Sequence, residues 1–159
     1  DRPAEWESRL DEELGPPARQ VGYHYALQHP ELFEAITRAG VPAWEGRVAL
    51  LFKPVVVGLV RRRYRVADGP VKASLDGLRR LWARVDAMLS DGRPFLLGDR
   101  FTAADLALSA LSAPLTRPPQ QPLGVPAPPP GAYADLVASF RDTPTGRHVL
   151  RMYAEQRNA

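Results

Sequence analysis

The 159-residue chain contains no cysteine, only two methionines and only three histidines. Without cysteine there is no disulfide frame, no thiolate nucleophile and no cysteine metal site. His24, His29 and His148 show no ligand spacing with one another or with acidic residues, and no helical i, i+4 pair, so no metal is expected. No glycine-rich phosphate loop and no serine in a nucleophile elbow occur, and no residue is assigned a catalytic role. No signal-type start is present, which makes a cytoplasmic location the default. Asp1 stands where a methionine would, and the helical spacing of "RPAEWESRLDEEL" begins at once, so a cut end is expected. Excess charge is also scarce. Lys plus Arg number 21 against 18 Asp plus Glu, a net charge of +3, and acids spread along the chain argue against nucleic acid as a partner. The longest apolar core, Val48 to Val60, is 13 residues and holds Lys53 and Pro54. A spanning helix needs about 20 apolar residues, so no membrane span is expected.

What the chain does have is helical periodicity. Some 45% of its residues are hydrophobic, recurring at a period of 3.6, and no run alternates long enough for a strand. The expected fold is all-α, a bundle of about six to eight helices forming a single domain over 1–159. An opening helix from Pro3 carries Trp6, Leu10 and Leu14 and is interrupted at Gly15, Pro16 and Pro17. Helix resumes to His29, and a short helix from Pro30 runs to a cap at Gly40. The segment "VPAWEGRVALLFKPVVVGLVRRRYRV" is apolar nearly all round, which predicts burial in the bundle, with an interfacial helix bearing a basic end as the alternative. Leu75, Leu78, Trp82, Val85 and Leu89 define an amphipathic helix ended by Gly92. Eight prolines between Pro114 and Pro130 predict an extended connector over about 114–131. Two helices follow, from Tyr133 to Arg141 and after a cap at Thr143.

The most legible stretch is "GDRFTAADLALSALSAPL". Thr102 is placed as an N-cap, and Asp105 can return a bond to its amide, which makes a capping box with Asp in the usual Glu or Gln position. Phe101 and Leu106 have the spacing of a hydrophobic staple. The helix beyond is expected at the centre of the bundle.

Together with "GRPFLL" before it, this segment resembles the capping-box and staple region in the C-terminal, all-helical domain of cytosolic glutathione S-transferases. The kinked opening helix, the helix ending in "ARVDAMLSDG" and the final "GRHVLRMYAEQR" fit the same order. The resemblance implies that Thr102 and Asp105 serve folding rather than chemistry. It also implies a pocket for a hydrophobic electrophile, homodimer contacts, and a thioredoxin-like domain that holds glutathione and stabilises its thiolate. No βαβ pattern for that domain lies within these 159 residues, so no conjugation is expected from the chain alone, and glutathione would be a cosubstrate only beside the missing domain. The alternative is a stand-alone helical module that binds another protein.

Candidate pocket residues are Trp6, Arg19, Tyr23 and His24. In the resembled family the second half of the opening segment faces the cleft between domains, and Arg19 lies one turn before Tyr23. Neighbouring helical residues point about 100° apart, so Tyr23 and His24 cannot be equally buried. Trp6 fits either a core anchor or a pocket wall.

Overall fold

The computed structural model describes residues 2–39, 42–121 and 126–156. Among these the chain forms ten helical segments and no strand, with one isolated bridge between Phe95 and Gly98. The segments are α1 (Arg2–Glu13), α2 (Gly15–Ala26), α3 (Pro30–Arg38), α4 (Ala43–Leu51), α5 (Lys53–Arg63), α6 (Asp68–Leu89), α7 (Ala103–Leu111), α8 (Ala113–Thr116), α9 (Ala132–Arg141) and α10 (Pro144–Glu155).

The count exceeds six to eight because two apolar segments are divided rather than continuous. Between α1 and α2 the division is slight. Pro16 and Pro17 occupy the first turn of α2, where an amide would have no intrahelical partner anyway. The Leu14 amide still bonds the Leu10 carbonyl and the Ala18 amide the Leu14 carbonyl, both at 2.9 Å. The face carrying Leu10, Leu14, Ala18 and Val21 therefore passes unbroken into the core, where all four are fully buried.

Facing this surface lies α6, which buries Val71, Leu78, Leu81, Trp82 and Val85 along one stripe. Gly92 ends the turn after it at φ +79°, a conformation that favours a residue without Cβ. The centre of the bundle is α7, packed against α1, α8 and α10. Its Leu108 is fully buried, whereas Leu106, expected in the same apolar stripe, is 60% exposed. The connector begins later than expected: Pro114 and Leu115 belong to the short α8, since proline is tolerated in a first helical turn. Part of the proline-rich stretch, 122–125, and the predicted cap at Gly40 lie outside the described residues.

The end of the chain is locked onto α6 by polar contacts. The Trp82 indole donates to the Thr143 hydroxyl at 2.8 Å, and that hydroxyl in turn accepts from the Gly146 amide at 2.9 Å. Asp86 accepts from the amide and hydroxyl of Thr145 at 2.7 and 2.6 Å. Thr143 is thus both the N-cap of α10 and the partner of a core tryptophan.

One expectation fails. The segment 43–63 was expected to be buried because it is apolar nearly all round; instead α5 buries no residue, and Trp44, Leu51, Phe52, Val55 and Leu59 are exposed. The physical reason is that α1, α2, α6, α7 and α10 already close the core around themselves. The two helices are tied down mainly at three points: α4 on α3, Lys53 beside Glu34 at 3.5 Å, and Tyr64 against Tyr23.

The tightest approach predicts a test. A Cβ on Gly146 would lie 2.1 Å from the Phe140 carbonyl oxygen and 2.7 Å from the Arg141 Cα, backbone atoms that cannot yield. Gly146→Ala should therefore cost about 3 kcal/mol of stability, measured by urea unfolding, because α10 must move off α9.

Candidate functional site

Two features converge near the expected residues: a buried carboxylate that organises α7, and an open cleft on α2. The carboxylate is Asp105, which is fully buried. Its Oδ2 accepts from the Thr102 amide and hydroxyl, each at 3.0 Å, and the reciprocal pair of a capping box is in place. Its Oδ1 accepts from the Leu96 amide at 2.7 Å and lies 3.1 Å from His148 Nε2. Arg151 approaches His148 Nδ1 at 3.3 Å as a donor, which assigns the imidazole hydrogen to Nε2. One side chain thereby joins the loop at Leu96, the start of α7 and the middle of α10. Burial raises the Asp105 carboxyl, but the bonds from His148, the Leu96 amide and Thr102 outweigh it and hold it below its ordinary value of 3.8. With every lone-pair direction taken and no solvent access, this group is placed to hold structure rather than to move protons.

The open cleft, of about 140 Å³, is lined by Arg19, Gly22 and Tyr23 of α2 with Pro114, Arg117 and Tyr133 among the facing residues. Gly22 permits the close approach of α8: a Cβ there would lie 2.9 Å from Pro114 Cβ. Tyr133 donates to the Pro114 carbonyl at 2.7 Å and stacks on Tyr25 with centroids 4.8 Å apart. Tyr23 packs against Tyr64 at 4.5 Å. Burial pushes the Tyr133 hydroxyl up to about 12, against the opposing pull of Arg117. Burial also raises Tyr23, helped by Tyr64 and opposed by Arg19. Both phenols therefore stay protonated at neutral pH. Tyr23 offers an aromatic face, while Tyr133, buried with its ring on Tyr25 and its hydrogen on Pro114, forms part of the wall, and neither is a base.

Of the four expected pocket residues, only Arg19 and Tyr23 line this cleft. His24 turns to the other side of α2, where its Nε2 lies 2.8 Å from Gln28 Nε2 and it borders shallow clefts with Arg61 and Asp68. Trp6 sits half-buried on α1 against the core, with the Arg9 guanidinium over its ring at 5.3 Å. The cleft residues that sequence reasoning missed, Pro114, Arg117 and Tyr133, lie about a hundred positions away in a proline-rich region and after it, and nothing in their spacing points back to Tyr23.

A second concavity, about 310 Å³ and mainly apolar, runs between α7 and α10, lined by Phe101, Leu106, Ser109, Met152 and Tyr153 among others. The pair expected to close as a staple, Phe101 and Leu106, forms part of this open groove, at 42% and 60% exposure. Phe101 also meets Phe95 edge-on at 5.9 Å.

Residues 57–112 match the family described as Glutathione S-transferase, C-terminal domain. Over that stretch the chain is similar to a glutathione S-transferase C-terminal domain. The matched region runs from within α5 through α7 and includes Thr102 and Asp105. No curated protein and no solved structure matches the chain. In this helical domain the capping box gains bonds to His148 and Leu96 that local sequence does not reveal.

Asp105→Ala should cost about 3–5 kcal/mol, because it strands the Leu96 and Thr102 amides and the His148 ring in a buried site. The pH dependence has a definite sign. A carboxyl held below its unfolded value adds stability above about pH 4, and that contribution is lost as pH falls through the folded value. Urea unfolding at about pH 6 and about pH 3 should show a smaller acid loss for Asp105→Asn than for the parent.

Proposed function

We propose that the chain is the substrate-binding helical half of a glutathione transferase, joined to a thioredoxin-like domain that binds glutathione. In this reading the partner domain supplies the thiolate. Its sulfur gives the electron pair of a new carbon–sulfur bond to an electrophilic carbon, and the displaced group leaves with its own pair. The helical half holds the apolar body of the electrophile against Tyr23 and Pro114 and keeps water away from it. Arg19, at the rim, steers a polar substituent.

The observation that carries this reading is the cleft itself. At about 140 Å³ it is smaller than a complete ligand pocket, which occupies roughly 300–1,000 Å³. It is walled on the α2 and α8 sides, has aromatic faces, and holds no group that ionises near neutral pH to activate a thiol. Half a pocket with no activating group suits a domain whose chemistry comes from a neighbour. The apolar groove at Phe101 and Leu106 offers that neighbour a surface to cover, and the homodimer expected from the resemblance belongs to the same proposal. A second reading, an interaction module without activity, draws support from the bare face of α4 and α5.

Fused to a thioredoxin-like domain of this family, the chain should conjugate glutathione to an aromatic electrophile, while the 159 residues alone should not exceed the uncatalysed rate. In the fused protein Tyr23→Ala should raise KM about tenfold with little change in kcat, the mark of lost ground-state binding. Turnover by the isolated chain, or inactivity of the fused protein, would overturn the reading; the second result favours the interaction module.

A further inference from the structure

The least explained part of the molecule is the surface formed by α4 and α5. The two helices meet at Phe52, where α4 ends with the Phe52 amide on the Val48 carbonyl at 3.2 Å and α5 begins with the Val56 amide on the Phe52 carbonyl at 3.0 Å. Trp44, Val48 and Leu51 recur at three- and four-residue steps in α4, Val55 and Leu59 do so in α5, and Phe52 stands between them. All six are between 48% and 76% exposed. Arg62 and Arg63 follow Leu59 by three and four residues and extend the same side, and both are exposed. A face of six large apolar groups exceeds what a soluble monomer ordinarily leaves bare and marks a contact surface.

Charge identifies the occupant. Residues 42–65 hold Arg47, Lys53, Arg61, Arg62, Arg63 and Arg65 against Glu45 alone, a net charge of +5, which leaves −2 for the rest of a chain whose total is +3. Positive charge is thus concentrated beside the exposed apolar stripe. A second copy would bring another +5 against it. An anionic bilayer surface satisfies both properties at once: acyl chains accept the apolar stripe, tryptophan and phenylalanine sit at headgroup depth, and the arginines meet lipid phosphates. Among the described residues no helix is long and apolar enough to cross a membrane. Two helices of 9 and 11 residues would instead lie flat along about 30 Å of surface.

We propose that α4 and α5 form a peripheral membrane-binding element that docks the domain on anionic lipid through Trp44, Val48, Leu51, Phe52, Val55 and Leu59, flanked by Arg61, Arg62 and Arg63. This places the helical domain at a bilayer, where apolar small molecules accumulate.

Vesicle co-sedimentation of the full chain tests it, using phosphatidylcholine vesicles with and without about one-third phosphatidylglycerol. The parent should bind the anionic vesicles, release as salt is raised, and ignore the neutral ones. Arg61→Gln/Arg62→Gln/Arg63→Gln should weaken partitioning on the order of 100-fold, and Val55→Glu/Leu59→Glu should abolish it. These side chains are exposed, so far-UV circular dichroism should be unchanged. Brominated acyl chains should quench tryptophan emission in the parent and much less in Trp44→Phe. No binding to anionic vesicles, equal binding to neutral ones, or binding that survives both multiple variants would overturn the proposal. So would a lipid-free dimer that Val55→Glu/Leu59→Glu dissolves, because the face would then belong to a second copy.

Discussion

The carboxylate of Asp105 is the interaction on which the rest of the bundle depends. An isolated ion in an apolar interior is unfavourable by many kcal/mol, and such a group persists only when hydrogen bonds replace its hydration. Here the replacements come from three parts of the chain: Thr102 at the start of α7, Leu96 in the preceding loop, and His148 on α10. Satisfying one carboxylate therefore sets where the loop enters, where the central helix begins and how the last long helix lies across it. The Trp82–Thr143–Gly146 chain does the same on the α6 side with neutral groups.

Outside this locked centre the molecule is uneven. The interior shared by α1, α2, α6, α7 and α10 is closed, while the cleft at Tyr23 and the groove at Phe101 are open on the surface, and α4 and α5 leave large apolar groups exposed. Three open apolar features around a well-satisfied core describe a domain whose surfaces are made for contact.

Much of the core was legible because local rules and burial agreed there. Leu10 and Leu14 at helical spacing, the prolines at the start of α2, the cap at Thr143 and the box at Thr102 each rest on residues within four positions of one another. The same logic misjudged α4 and α5. An apolar stretch states that a surface wants to leave water, not which surface it meets, and here the buried core is completed without α4 and α5. It also offered Trp6 and His24 as pocket candidates with Tyr23, leaving Trp6 open as a core anchor; the turn of the helix sends His24 to another face, and Trp6 packs on the core.

By itself, then, the sequence determined most of the helices, their principal caps and the proline breaks, because those are carried by short-range hydrogen bonding, backbone sterics and periodicity. Only the tertiary structure decided that Asp105 reaches His148 and Leu96, that Pro114 and Tyr133 complete the cleft begun by Arg19 and Tyr23, and that the most apolar helices face outward. Each of those facts joins groups tens of residues apart or depends on which surfaces remain after the core has closed. Neither spacing nor composition encodes that.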